Sequence, residues 1–274
     1  VPMETPREKL VAPSGEPPLP ILYQDEHCVV INKPSGLLVH KSPIDRHETR
    51  FAMKILRDQL GQWVYPIHRL DKPTSGALLF GLSADVARQL GESQEQRHWQ
   101  KRYLTIVRGW APESGCIDHP LKEKLDKIAD KHTNQNKPAQ SAVTHYRRLA
   151  SAELPISVDR FPTTRYSFIR CQPVTGRKHQ IRRHMKHIGY PIIGDAKHGK
   201  GIHNRGFRDY FLTVETCQNT ACESPYRSVE EGRLMLHAHQ LTFCHPYTSA
   251  EITVTAPLDH YFQTVVEHLF PGAL

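Results

Sequence analysis

The sequence predicts an α+β protein built on a mixed, largely antiparallel sheet flanked by helices and loops. Three observations carry that reading. Short apolar or alternating runs of strand length outnumber helical patterns. Neighbouring strand candidates recur as hairpins. Strands and helices do not alternate in the strict rhythm that marks a parallel sheet.

Residues 1–20 hold six prolines and little apolar periodicity, so they are expected to form an extended or disordered tail. The runs Ile21–Tyr23 and Cys28–Ile31, joined by a polar tetrapeptide, read as a hairpin that Asn32-Lys33-Pro34-Ser35-Gly36 ends. Thr49 to Leu60 has helical spacing in Met53, Leu56 and Leu60. Gly76 to Leu82 is a continuous apolar run after a turn and reads as a buried strand. Ala84 to Gln94 reads as a helix with Ser83 as N-cap. Further strands are expected at Lys101–Arg108, Val143–Leu149, Tyr166–Cys171, Arg233–Phe243 and Glu251–Thr255, and helices at Arg177–Ile188 and Leu258–Leu269. Residues 122–138 are charged and poor in large apolar groups, which predicts a surface insertion. A second, loop-rich insertion is expected from 198 to 232. No internal repeat appears.

The 274 residues are 38% hydrophobic and 23% charged, the composition of a soluble globular chain with ample surface to bury. No run approaches the ~18 apolar residues of a membrane helix, and the first ten residues contain no apolar core of a signal peptide. The cysteines Cys28, Cys116, Cys171, Cys217, Cys222 and Cys244 form no C-x-x-C pair, and reduced thiols in a cytoplasmic protein are expected. The net charge of +8 is regional: Arg165 to Arg208 carries eleven Lys or Arg and one acid, Asp195, so it is +10 while the rest of the chain is −2. Such concentration favours a surface that faces a polyanion.

Two stretches carry candidate chemistry. In His68-Arg69-Leu70-Asp71-Lys72-Pro73-Thr74-Ser75-Gly76, a lone carboxylate stands on a turn before a buried strand. Loops on a rigid sheet display catalytic groups, yet on this stretch alone an aspartate that merely caps the turn is the plainer reading. In Thr175-Gly176-Arg177-Lys178-His179-Gln180-Ile181-Arg182, continuing to His187, the residues Ile181, Met185 and Ile188 mark a buried helical stripe. Lys178, Arg182 and Lys186 run beside it at i, i+4 and i+8. Arg182 borders the core, where it can meet a buried carboxylate; a basic solvated face is the alternative. The chain has no H-E-x-x-H, no phosphate-binding P-loop, no G-x-G-x-x-G and no G-x-S-x-G, and its Cys and His spacing suits no structural zinc.

At His68-Arg69-Leu70-Asp71, with Thr74-Ser75-Gly76 following, the chain resembles the RluA family of pseudouridine synthases. Lys101-Arg102-Tyr103-Leu104 is similar to the family's tyrosine motif, Thr175 to Arg182 to its arginine motif, and Leu234-Met235-Leu236-His237-Ala238 to its late hydrophobic motif. Ile21 to Glu26, Asn32 to Gly36 and Pro191-Ile192-Ile193-Gly194-Asp195 also match, in the family's order. The resemblance implies a pseudouridine synthase fold with a central catalytic cleft. Residues 21–274 would form one catalytic domain without the N-terminal S4 RNA-binding domain of many relatives.

It also implies the chemistry. Isomerisation of uridine breaks N1–C1′, turns the ring and joins C5 to C1′, with no redox change. No cofactor and no metal is then expected. One carboxylate suffices, whether it attacks the ribose, adds to the ring or removes a ribose proton; the residues leave that choice open. By resemblance the catalytic residues are Asp71, Tyr103 and Arg182: the working carboxylate, a ring that stacks on the extruded uracil and offers a hydroxyl at C5, and the partner of Asp71. Arg69 would fill the space the base vacates. His68, Arg177, Lys178, His179, Gln180, Lys186 and Leu236 would complete the substrate and RNA contacts. Residues 123–131, 161–166 and 195–199 are similar to members that modify tRNA, which implies tRNA as partner and position 65 in its T-stem as target. A uridine of 23S rRNA is the alternative within the family, and a non-catalytic RNA-binding protein the alternative outside it. A cytoplasmic monomer with no membrane or protein partner is expected.

Overall fold

The computed structural model describes residues 15–41, 47–123, 138–214, 226 and 232–274. Its strands are β1 Ile21–Gln24, β2 Cys28–Lys33, β3 Tyr65–Pro66, β4 Ser75–Gly81, β5 Gln100–Arg108, β6 Ser114–Asp118, β7 Val143–Leu154, β8 Thr164–Pro173, β9 Leu236–Cys244 and β10 Glu251–Thr255. The helices are α1 Ala52–Leu60, α2 Ala84–Glu95, α3 Gln180–His187, α4 Gly201–Thr213 and α5 His260–Leu269. Among the described residues the strands form one sheet in the order β1-β2-β4-β9-β5-β8-β7-β6, with β10 on β9 and β3 on β4. Every pairing is antiparallel except β4 with β9, so the expected mixed, largely antiparallel sheet is observed.

Strand periodicity builds two faces from β5 and β8. Ile106 and Phe168 point to a core shared with α4 and α5, whereas Val107 and Ile169 point to a core shared with Ile181 and Met185 of α3. On the other half of the sheet, Val29, Ile31, Leu78 and Phe80 pack on Ile55 and Leu56 of α1, and Val30 and Leu79 pack on Val86 and Leu90 of α2. Tyr103 touches both the α1 and the α3 cores, so it marks the junction of the two halves.

The halves meet along a short seam. The parallel register of β4 and β9 has two pairs, Ser75 with His237 and Gly76 with Ala238. Gly76 adopts φ +116°, and a Cβ there would stand 2.3 Å from the Ala238 carbonyl oxygen. A buried polar chain crosses the same seam. Arg233 donates to Ser75 Oγ at 2.7 Å, Ser75 Oγ meets His237 Nδ1 at 2.7 Å, and His237 Nε2 meets the Ala256 carbonyl at 3.0 Å. With Ser75 Oγ accepting from Arg233, its own proton goes to His237 Nδ1, and the ring's one N–H, at Nε2, donates to Ala256 O. Arg233 also pairs with Asp259.

Several expectations are corrected. The stretch 198–232 is not wholly loop: α4 occupies Gly201–Thr213, because His203, Phe207 and Phe211 recur on one helical face and bury, with Phe207 edge-on to Tyr166 at 5.2 Å. Residues 215–225 and 227–231 of that stretch, and 124–137 of the other insertion, lie outside the described residues, as do residues 1–14 of the tail. The tail's last residues are fastened. Leu19 is buried and exchanges two hydrogen bonds with the Gln59 amide, at 2.8 and 3.0 Å. α3 starts at Gln180 rather than Arg177, because His179 takes φ +55° and breaks the helical path. Strands β6 and β3 were not expected from the pattern, and β7 and β8 run longer than expected. Ser83 caps α2 by accepting from the Val86 N–H.

Gly76→Ala is expected to cost about 2–4 kcal/mol, since it combines a positive-φ penalty with a backbone clash at the seam. Urea unfolding checks this; a midpoint within 0.5 kcal/mol of the parent, a rough threshold for neutral substitutions, would contradict the close approach.

Candidate active site

The turn that carries Asp71 is built by the segment after β2. Lys33 is fully buried, and its Nζ donates to the carbonyls of Pro34, Leu37 and Lys72 at 2.9, 2.7 and 3.1 Å. Ser35 Oγ donates to Pro73 O at 2.8 Å and the Gly36 N–H to Lys72 O at 2.9 Å. Burial pushes the Lys33 pKa down to about 7, while three carbonyls await the three donors of its charged form. Proline at 34 and 73 stiffens both sides of this contact. Asp71 is thereby fixed just before β4, where its carboxylate faces α3.

Arg182 answers it from α3. Its NH1 donates to Asp71 Oδ2 at 2.8 Å, and its Nε and NH2 donate to the two oxygens of Asp195, each at 2.8 Å. The expected Asp71–Arg182 pair is present, and Asp195 is a second partner that sequence reasoning missed. The Asp195 side chain has no exposed surface, that of Arg182 is 6% exposed and that of Asp71 17%. Burial acts to raise the Asp195 pKa, but the Arg182 guanidinium and the N–H groups of His198 and Lys197 outweigh it and hold the carboxyl below its ordinary value. Burial likewise works against the Arg182 charge, and Asp195 and Asp71 together hold its pKa above the ordinary one.

His179 stands beside the pair. Its Nε2 lies 3.8 Å from Asp71 Oδ1 and its Nδ1 2.9 Å from His198 Nε2. Burial, against the attraction of Asp71 and with the repulsion of Arg182, lowers its pKa to about 4, so the ring is neutral at pH 7. Tyr103 rises from β5 into the same space; burial, then the Asp71 charge, pushes its phenol pKa up, so the hydroxyl keeps its proton.

Asp71, Arg182, His179 and Tyr103 line a cleft of about 460 Å³, together with Arg69, Leu70, Thr74, Lys101, Glu123, Arg177, Lys178 and Leu236. Of the residues expected to contact substrate, Arg69 is exposed at the rim and Leu236 is buried in the wall. His68 accepts from the Leu79 N–H through Nε2 and edges onto Trp99; burial holds its pKa well below the ordinary value. Gln180 lines the cleft and also braces its wall: its amide donates to Val143 O and Thr144 Oγ1 and accepts from Thr175 Oγ1 and the Arg177 N–H. The expected basic face of Lys178, Arg182 and Lys186 does not form as one stripe. Lys178 precedes α3 and lines the cleft, Arg182 is internal, and Lys186 is exposed outside the cleft lining. The +10 segment is likewise divided, with Arg183 bonded to Lys122 O and Arg208 paired with Asp209.

The sequence pattern of RNA pseudouridylate synthases matches residues 27–187 of this chain, which span Asp71, Tyr103 and Arg182. The chain belongs to the RNA pseudouridylate synthase family. It is 51% identical over 245 residues to tRNA pseudouridine synthase C of Vibrio cholerae, covering 89% of this chain and 93% of that protein. It is also 51% identical over 248 residues to tRNA pseudouridine synthase C of Pasteurella multocida, covering 90% and 95%. The solved structure of human RNA pseudouridylate synthase domain containing 4 is similar over 91% of this chain and 92% of that one, with a TM-score of 0.63 and 28% identity. The α+β architecture is thus that of a pseudouridine synthase. No helix among the described residues is long and apolar enough to cross a membrane.

Asp195→Asn is expected to destabilise this synthase by about 3–5 kcal/mol, because it removes one partner of a buried ion pair. The sign with pH follows from the direction of the Asp195 shift. Its stabilising contribution is complete above the ordinary value of 3.8 and is lost as pH falls through the lower folded value. Urea titrations at neutral and acid pH should therefore show an acid loss in the parent that shrinks in Asp195→Asn; equal losses would place the acid limit elsewhere.

Proposed function

We propose that this chain isomerises a uridine of tRNA to pseudouridine, with position 65 in the T-stem as the target. The observation that carries the reaction is the Asp71 carboxylate held by buried Arg182 at 2.8 Å inside a cleft that also contains Tyr103. A protein that only binds RNA gains nothing from burying a carboxylate pair, which costs several kcal/mol per ion. The names of the half-identical relatives support tRNA as the substrate, and the insertion motifs support the position.

In this reading Asp71 performs the bond chemistry. Arg182 occupies Oδ2, which leaves Oδ1 as the oxygen turned toward neutral His179 and the cleft. The reaction breaks N1–C1′, forms C5–C1′, moves a proton off C5 and returns one to N1, so product and substrate have the same composition. The target base leaves its stack at a cost of a few kcal/mol. Arg69 at the exposed rim fills the gap, and stacking on Tyr103 returns about 1–3 kcal/mol. The phenol, kept protonated by burial, passes C5's proton on only as it relays its own, so its hydroxyl acts late. Lys178 and Arg177 at the mouth take phosphates.

Asp71→Asn is expected to abolish product while tRNA affinity stays within about threefold, roughly 0.7 kcal/mol. Release of tritium from C5-labelled uridine in tRNA and mapping of pseudouridine in RNA from cells with and without the gene check reaction and position together. Turnover by Asp71→Asn, or an unchanged map, would overturn the assignment.

Tyr103→Phe is expected to retain affinity and stall product formation, since stacking persists without the hydroxyl. Normal single-turnover conversion by this variant would leave the ring with stacking alone.

Lys178→Ala is expected to reduce the slope of log affinity against log salt by about 0.7–0.9, the loss of one phosphate contact, whereas Lys186→Ala outside the cleft should change it less. Filter binding over a salt series compares them; equal slopes would mean that RNA passes over the outer face of α3.

A further inference from the structure

Lys101 is absent from the roles assigned above, and its surroundings call for an occupant. It lies two residues before Tyr103 on β5, and both side chains enter the cleft, while Arg102 between them turns away to Gln240. The Lys101 ammonium rests over the Trp99 ring at 5.4 Å. With the Gln94 amide oriented to satisfy both neighbours, its oxygen accepts from Lys101 Nζ at 3.0 Å and its nitrogen donates to Ile67 O at 3.3 Å. One amide oxygen and one aromatic face leave N–H donors of the ammonium unfilled. Among the described residues no carboxylate pairs with it, and no nearby charge offsets its burial, which pushes its pKa down to about 8. Arg97, exposed in the turn that ends α2, lines the same wall.

A cation held this way is complementary to an anion, because an anionic ligand returns the attraction that burial removed. The position selects which anion. Lys101 and Tyr103 are two residue steps apart on β5, about 7 Å along an extended strand, with a register shift against β9 between Arg102 and Tyr103; a nucleotide's ring and its own phosphate are separated by a comparable span. A base stacked on Tyr103 therefore brings its backbone to Lys101.

We propose that Lys101 binds a backbone phosphate of the nucleotide being modified, so that the wall formed by the end of α2 and the start of β5 is a phosphate seat in the cleft. This deepens the tRNA synthase reading and rests on it. In the free protein the seat is held open by Trp99 beneath and Gln94 beside the amine. When the nucleotide enters, the phosphate replaces solvent on the remaining N–H groups and sets how far the base can travel over Tyr103.

The test compares parent, Lys101→Gln and Lys101→Arg with an unmodified tRNA transcript. Affinity across a salt series, single-turnover conversion at saturating tRNA and melting temperature are read for each. Lys101→Gln should bind about tenfold more weakly, the loss expected for one charge-assisted hydrogen bond, and its salt slope should fall by about 0.7–0.9. Lys101→Arg should restore both. Parent affinity and slope in Lys101→Gln would overturn the proposal. So would a collapse of conversion at unchanged affinity, which would put Lys101 on the reacting base, or a failure of Lys101→Arg to rescue. A second measurement needs no variant. The Lys101 amine of the parent should be labelled by an acylating reagent and protected about tenfold by saturating tRNA; full labelling under tRNA would equally overturn the assignment. If the parent binds and is protected but converts no uridine, the synthase reading fails while the phosphate contact stands.

Discussion

The site depends on one guanidinium shared between two carboxylates. Arg182 spends one nitrogen on Asp71 and two on Asp195. The planar fork makes that division possible; a lysine would present a point charge and could not hold both carboxylates in fixed directions. The pairing also solves a burial problem. Two carboxylates and one guanidinium leave a net negative charge in a dry place, and the buried Lys33 amine, whose protonated form is favoured by the Asp71 charge, is a neighbour of this group. His179 adds a neutral neighbour rather than a third cation. The outcome is an interlocked group of ions in which one member, Asp71, retains access to the cleft.

Backbone geometry serves this group at each corner. The Lys33 and Ser35 side chains and the Gly36 N–H grip the carbonyls of Lys72 and Pro73, so the Asp71 turn is held through its own main chain. The left-handed His179 ends the path after β8 and lets α3 begin at the next residue, Gln180, with Arg182 facing inward. Gln180 locks that start by bonding to both the preceding turn and β7. Asp195 sits after the Gly194 turn, where a Cβ would collide with the Arg233 carbonyl. Four separate chain segments thus converge, each fixed before any substrate arrives, which is the preorganisation that polar catalysis requires.

Much of this was legible in the sequence, and the gaps have physical causes. Asp71, Tyr103 and Arg182 were marked by contiguous motifs that resemble a family; on the residues alone, Asp71 read more plainly as a turn cap. Asp195 was visible as the single acid in a +10 segment, but its tie to Arg182 crosses a loop and leaves no periodic trace. Lys33 read as a hairpin breaker, since nothing in a chain pattern shows an amine folding back on three carbonyls. The place of Gln180 at the cleft was legible from its motif, but its bonds to Val143, Thr144 and Thr175 were not, because those partners lie far along the chain or across a turn. The helix at Gly201–Thr213 was hidden by Gly201 and Gly206, whose low helical propensity is overridden by burial of Phe207 and Phe211. The expected stripe of Lys178, Arg182 and Lys186 failed for a local reason: ideal spacing was carried across His179, where the helix has not begun.

The narrow parallel seam also constrains how the molecule comes into being. Ser75 must find His237, and Gly76 must find Ala238, across some 160 intervening residues. Contacts between such distant parts of a chain form after local ones, because the loop entropy must be overcome first. The β1–β2 hairpin with β4 and α1, and the β6–β7–β8 meander, can each gather from neighbouring residues as the ribosome delivers them. β9 comes last of the central strands and lies between β4 and β5. Until it inserts, Asp71 and Arg182 belong to two unconnected pieces, and the nascent chain carries both sets of buried ions half paired. Maturation of the cleft is therefore tied to the arrival of β9, and the period before it inserts is when this chain most exposes its core to aggregation.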